Sequence, residues 1–322
     1  MVFSALNSLS KNIRDAPIIV VAGPTASGKS NFALDIARKV NVSIINFDSM
    51  QVYKELKIIS ARPSKNHCQI VPHELYGFMS ADTPCSVLYW RDIAIKKIKK
   101  SIKDGRIPIL VGGTGFYIQS LIDGIDSIPK SLPEFRNKAE NILKRSGYEI
   151  FYNIVKKVDP SIEGRIAPRD IQRLIRSYTV WLQTSKTLYE WQNQGEYKKK
   201  YFNNFIKIRL YPDREKLRNS ISERFYRMVD EGAVQEVQSL KKLDLSYPIM
   251  KAHGVRELLA YSSGNISFEE AAKKTITNIR QYAKRQDTWF NNRFKADYKI
   301  IDYKNNLKLH LMKIYNLCDK IY

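Results

Sequence analysis

The chain has 322 residues, 43% of them hydrophobic, enough for a buried core and for one large or two modest domains. Its formal net charge is +22, from 54 Lys and Arg against 32 Asp and Glu; this favours a polyanionic partner, nucleic acid before membrane surface, although lysine drift in an AT-rich genome explains it equally well. Three scattered cysteines without a C-x-x-C, a polar Met1 to Asp15 and no long apolar run argue against a disulfide framework, a zinc site, a secretory leader and a membrane span, so the expectation is a cytoplasmic protein.

Ile18 to Ala22 is an apolar, β-branched run that predicts a buried strand. Gly23-Pro24-Thr25-Ala26-Ser27-Gly28-Lys29-Ser30 follows, with the spacing G-x-x-x-x-G-K-S. Asn31 to Val40 then repeats Ala33, Ile36, Ala37 and Val40 at helical spacing. A glycine loop between strand and helix turns its N–H groups toward phosphate oxygens, and the helix N-terminus adds partial positive charge. Lys29 adds a full charge and the Ser30 hydroxyl is a ligand for Mg²⁺, so a diphosphate or polyphosphate binds here.

Val42 to Phe47 predicts a second strand, ending at Asp48-Ser49-Met50-Gln51-Val52-Tyr53. Groups past the carboxyl ends of strands face the ligand crevice of an open α/β sheet. Asp48 there is a general base, a Mg²⁺ partner or a turn-capping carboxylate. Pro72 to Phe78 reads as loop, with His73 in a structural role because no second ligand stands at metal spacing. A helix over Arg91 to Lys103 leads to a third strand, Ile107 to Val111. That strand opens into Gly112-Gly113-Thr114-Gly115, a second glycine turn on the same crevice rim.

From Pro129 to Asn203 the pattern is helical and basic, with 15 Lys and Arg against 8 Asp and Glu. Ile171, Leu174, Ile175, Tyr178 and Leu182 fall on one helix face, Arg169, Arg173 and Arg176 on the other. Three arginines on one face either grip consecutive phosphates or are simply solvated. Trp181, Tyr189, Trp191, Tyr197 and Tyr201 either stack on bases or fill a small core. Strand character resumes at Asn204 to Leu210, and Pro212-Asp213 opens a helix with Leu217, Ile221, Phe225 and Met228 inward. Met250 to Arg256 reads as a glycine-containing basic turn. Ser267 and Glu270 form a capping box that starts a long helix with Lys273, Arg280 and Lys284 as a basic stripe. One strand and one basic helix complete the pattern.

The phosphate loop, Asp48 to Tyr53, Gly112 to Gly115, Gln172-Arg173-Leu174-Ile175-Arg176, Gly254-Val255-Arg256 and Lys284-Arg285-Gln286, in this order, resemble the tRNA isopentenyltransferase (dimethylallyltransferase) family from Ile18 to about Phe294. The resemblance implies an α/β fold, a P-loop NTPase-like parallel sheet flanked by helices, with a helical insertion domain. The domains expected are residues 1–128 and 204–322 as the two parts of the core, and 129–203 as an insertion that clasps the anticodon stem-loop. It also implies transfer of a dimethylallyl group from dimethylallyl diphosphate to N6 of the adenosine 3′ of the anticodon. Mg²⁺ at Ser30 is the cofactor expected from the loop, and a monomer is the default expectation because nothing in the sequence marks an oligomer interface. Gly23 to Ser30 would hold the diphosphate, Asp48 would be the general base, and Lys29 and Arg224 would stabilise the leaving group. Asp48, Ser49, Met50, Gln51, Thr114, Gln172, Arg173, Leu174, Ile175, Arg176, Arg256, Lys284, Arg285 and Gln286 would meet tRNA.

Two departures stand out. Val255 replaces an aromatic that many members carry, which removes a base contact, and the Cys/His cluster of the eukaryotic C-terminal zinc finger is missing. A small-molecule P-loop kinase would use Lys29, Ser30 and Asp48 too, but has no need of the basic insertion. A prenyltransferase of free AMP or ADP shares the core without the clasp, and a GTPase-like switch lacks its guanine-reading N-K-x-D.

Overall fold

The computed structural model describes residues 16–126, 128–193, 200–305 and 307–319; Met1 to Asp15 and Tyr197, about which the sequence raised expectations, lie outside them. Ile18–Ala22 forms strand β1, all five residues buried, inside a six-stranded parallel sheet of order β3-β2-β4-β1-β5-β6. Its companions are β2 (Val42–Asn46), β3 (His73–Glu74), β4 (Ile107–Gly112), β5 (Phe205–Leu210) and β6 (Tyr298–Ile300). A parallel sheet is covered on both faces, which is why β1 reads as continuous apolar sequence rather than as alternation. Ile18, Val20 and Ala22 enter one core, Ile19 and Val21 the other.

The chain divides into two compact units, 1–122 with 200–322, and 123–199. In the first unit α1 (Lys29–Ala37) packs Phe32, Ala33, Leu34 and Ile36 onto one sheet face. After the short α2 (Lys65–Ile70), the other face receives α3 (Val87–Lys103) and α4 (Gly115–Ile122). Pairing in register carries the strands to a common end: Ala22 lies opposite Gly112 and Arg209, and Asn46 opposite Val111. The phosphate loop, Asp48 and the Gly113-Thr114 turn therefore leave the sheet side by side.

The second unit holds α5 (Pro133–Val158), broken at Gly147 where φ is 77°, then α6 (Ile171–Thr184) and α7 (Leu188–Asn193). Its core is built from Ala139, Phe151, Val155, Ile162, Leu174, Ile175 and Tyr178. Trp181 stacks on the core residue Tyr178 at 5.6 Å, so this one of the expected aromatics packs against that core. Back in the first unit come α8 (Arg214–Asp230), α9 (Ala233–Ser239), α10 (Val255–Ser262), α11 (Phe268–Arg293) and α12 (Leu307–Asp319).

Two local readings are corrected. Pro72 to Phe78 is not all loop: His73–Glu74 pairs with Ile44–Ile45 as an edge strand, too short to show a period of two. Arg256 lies on α10 rather than in a turn, because Gly254 at φ 95° caps that helix.

Candidate active site

The phosphate loop has its shape for steric reasons. Gly23 (φ 153°) passes so close to β5 that a Cβ would sit 2.5 Å from the Leu210 carbonyl oxygen. Gly28 (φ 88°) caps α1, and a Cβ there would stand 2.5 Å from Cε1 of Tyr303. Only glycine meets both demands. Lys29 opens α1 and its Nζ donates to the Pro24 carbonyl at 2.6 Å. Burial pushes its ammonium down to about 7; Asp48 raises it in part and Arg224 lowers it further. The hydroxyl of Ser27 is buried without a hydrogen-bond partner, and Ser30 lies exposed beside it.

Asp48 is held by a residue that sequence reading passed over. Asn46 is fully buried; its Nδ2 donates to the carbonyls of Asp48 and Leu75, both at 3.0 Å, and its Oδ1 accepts the Asp48 N–H at 2.8 Å. Trp90 Nε1 donates to the Asn46 carbonyl at 2.9 Å. Asp48 Oδ1 in turn accepts the Met50 N–H at 2.9 Å. Thr114, in the turn after β4, accepts the Ser49 N–H on its Oγ1 at 2.9 Å. Arg224 comes from α8, and its Nη1 donates to Thr25 Oγ1 at 3.3 Å. Its burial pulls its pKa down, against the carboxylate of Asp48, which raises it.

Two cavities meet at these groups. A polar cleft of about 800 Å³ is lined by Thr25 to Asn31, Asp48 and Arg224 among others. A recess of about 170 Å³ has a largely apolar wall that includes Met50, Ile59, Ile221, Met228, Ile279 and Tyr282. Thr25, Ala26, Asp48, Arg224 and Met228 border both. The wall at Ile59 and Ser60 is set by Glu236 of α9, whose carboxylate accepts the N–H groups of Lys57, Ile58 and Ile59 at 2.8 to 2.9 Å. No sequence signal links Glu236 to that loop, since it lies 177 residues from Ile59.

Residues 51–293 match the family model described as IPP transferase, and residues 16–74 the one described as isopentenyl transferase. The chain belongs to the IPP transferase family. It is 42% identical over 283 residues to the tRNA dimethylallyltransferase of Granulibacter bethesdensis, covering 87% of this chain and 88% of that protein. With the tRNA dimethylallyltransferase of Pelagibacter ubique it shares 42% over 291 residues, covering 89% and 92%. The crystal structure of a full-length tRNA isopentenylpyrophosphate transferase from Bacillus halodurans superposes with a TM-score of 0.68 at 27% identity, over 95% of this chain and 97% of that one. A eukaryotic dimethylallyltransferase described as acting on tRNA superposes with a TM-score of 0.79 at 27% identity, over 93% and 78%.

The residues expected to meet tRNA in this IPP transferase sort by exposure. Lys284 and Arg285 on α11, Arg256 on α10, and Gln172 and Arg173 on α6 are exposed. Leu174 and Ile175 are not available, because both side chains pack in the core of their unit. Arg169 is not on the helix at all: Asp170 caps α6, and Arg169 precedes it with φ 63°. Arg176 turns inward, where its guanidinium donates to Ser131 Oγ and to the Pro129 carbonyl. On α6 itself the expected three-arginine stripe thus reduces to Arg173, which is 70% exposed and pairs with Asp170 at 3.0 Å, while Arg169 is exposed just ahead of the helix. Gln51 uses its amide to brace the Ser60 and Ala61 carbonyls. Gln286 is buried between two backbone segments, so its side chain is not free for RNA. Val255 is buried in the core, and position 255 presents nothing to a base.

His253 is a further group the sequence did not single out. It lines the recess with Asp48, and its ring lies 4.8 Å from that of Tyr282. Burial, and then Arg285, lower its pKa, while Glu257 and Asp48 act in the opposite direction. The described residues contain no group of three or more His, Cys, Asp or Glu suited to a metal, and no helix long and apolar enough to cross a membrane.

Proposed function

We infer that this IPP transferase moves the dimethylallyl group of dimethylallyl diphosphate onto N6 of adenosine 37 in tRNA and releases diphosphate. The observation that carries the reading is the junction of the two cavities at Asp48, Thr25 and Arg224. One reactant in each cavity would bring the nucleophile and the electrophilic carbon together beside the carboxylate.

The chemistry divides among these residues. N6 attacks C1 of the donor, the C1–O bond breaks, and the electron pair leaves with the diphosphate. Lys29, the loop N–H groups and Arg224 stabilise that developing charge electrostatically. The lone pair of an exocyclic adenine amine is delocalised into the ring, so the amine needs its proton accepted as the bond forms; Asp48 takes it. A stacked base cannot reach the recess and must be flipped out of the anticodon loop.

A magnesium ion suits the oxygen donors present. The Ser30 hydroxyl and the Asp48 carboxylate line the same cleft, and hard cations take such ligands together with phosphate oxygens and water. When bound it neutralises part of the diphosphate charge. Arg173, Gln172, Arg256, Lys284 and Arg285 are the exposed candidates for gripping the anticodon stem-loop.

The test is to incubate the protein with radiolabelled dimethylallyl diphosphate and either tRNA or AMP, and separately with ATP and small alcohols. Label recovered in tRNA as N6-isopentenyladenosine is the expected result. Label in AMP, or ATP turnover indifferent to tRNA, would overturn the assignment in favour of a free-nucleotide prenyltransferase or a kinase.

A further inference from the structure

Gln286 joins two segments that are remote in sequence. Its Oε1 accepts the N–H of Thr25 in the phosphate loop at 2.8 Å, across 261 residues. Its Nε2 donates to the Gly113 carbonyl in the turn after β4 at 2.9 Å, across 173 residues. The side chain is 5% exposed. A Cβ on Gly113 would collide with that same Nε2. The backbone of Gly113 is not left-handed, so the residue is small for reasons of space, not of conformation. The next residue of α11, Asp287, pairs with the buried Arg209 of β5 at 2.6 Å, which ties the helix to the strand beside β1.

Thr25 is more than a structural residue in this arrangement. It accepts a hydrogen bond from Arg224 and borders both cavities. Its N–H therefore fixes the position of the hydroxyl through which Arg224 is aimed. Losing the acceptor on Thr25 N–H frees the loop on the side where Arg224 arrives.

We propose that Gln286 is a positioning residue for the diphosphate donor, acting through Thr25, and that Gly113 is glycine to admit it. This rests on the transferase reading above. It predicts a defect on the donor side, whereas the neighbouring exposed Lys284 and Arg285 serve tRNA. Asp48, Lys29 and Arg224 remain the groups that touch reactants; Gln286 touches none of them.

A double-mutant cycle on the full chain tests this. Gln286→Ala should raise KM for dimethylallyl diphosphate about tenfold, the scale of two modest hydrogen bonds, and leave tRNA affinity within about twofold. Gly113→Ala should do the same in the wild-type background, because its methyl displaces the amide. In the Gln286→Ala background Gly113→Ala should add less than about twofold, since the collision partner is gone. Gln286→Met keeps the volume and loses both hydrogen bonds, and thermal melting of each variant identifies any that fail to fold. Binding of inorganic pyrophosphate, measured by calorimetry, reads the loop even if the prenyl acceptor is not tRNA, so failure of the transferase reading and failure of this proposal are separable. Lost tRNA affinity with unchanged donor KM would make Gln286 an RNA contact and overturn the proposal. So would full multiplication of the two single effects in the double variant, or unchanged pyrophosphate affinity in folded Gln286→Met.

Discussion

Lys29 ties donor binding to pH. Its ammonium stands at about 7 in the ligand-free fold because burial costs the charged form more than Asp48 returns. A bound diphosphate supplies the missing counter-charge and raises it again, so binding takes up a proton wherever the free protein has lost it. With a value of about 7, the site is about 90% charged at pH 6 and about 10% charged at pH 8. The affinity for pyrophosphate through this group should therefore fall about tenfold between those two values, or about 1.4 kcal/mol. Calorimetry in two buffers of different ionisation heat should count roughly one proton taken up at pH 8 and almost none at pH 6. Pyrophosphate has ionisations of its own, so the comparison is with Lys29→Met, which binds more weakly and lacks the Lys29 contribution. Equal proton uptake by wild type and Lys29→Met at pH 8 would refute the reasoning. The same shift has a sign for the unliganded fold. The folded value lies below the ordinary 10.5, so between about 7 and 10.5 the unfolded chain holds the extra proton, and this group makes the free protein more stable as pH rises through that window.

Other substitutions separate the roles of neighbouring residues. Asp48→Asn keeps an acceptor but cannot take a proton; single-turnover transfer should fall by roughly 10²–10⁴ with tRNA affinity little changed, and near-wild-type transfer would remove Asp48 from the chemistry. Asn46→Ala leaves the Leu75 carbonyl and both backbone groups of Asp48 without their buried partner, so unfolding by urea should reveal a loss of about 1–3 kcal/mol together with slower transfer. Arg173→Ala should lower the log–log salt slope of tRNA binding by nearly one unit, whereas Arg176→Ala should lower the melting temperature and leave the slope as it was. A slope change from Arg176 instead would return it to the RNA face.

Much of the architecture was legible because its signals are local. The continuous apolar run of β1, the glycine spacing of the phosphate loop and the Ser267 cap of α11, which accepts the Glu270 N–H, each report on neighbours within a few residues. β3 escaped because two residues carry no period. The carboxyl ends of β1, β2 and β4 could be expected on one rim because parallel strands must all point the same way. Asp48 and Thr114 were placed on that rim by this logic, and Ser30 by the spacing of the loop itself.

What only the tertiary structure decided is where side chains go once a helix or loop has several neighbours to choose from. Spacing put Arg169, Arg173 and Arg176 on one face, yet Arg169 precedes the cap and Arg176 folds back onto Pro129 and Ser131. A half-buried guanidinium needs hydrogen-bond partners, and its carbonyl and hydroxyl belong to a segment more than forty residues away. Gln286 in a basic motif looked like an RNA contact, and became a buried bridge because Thr25 N–H and the Gly113 carbonyl lay within reach of α11. Helix and strand periods are properties of the local chain and can be read from it. The pairing of a buried polar group depends on which unsatisfied donor or acceptor the fold brings near, and that distance exists only after the chain has closed on itself.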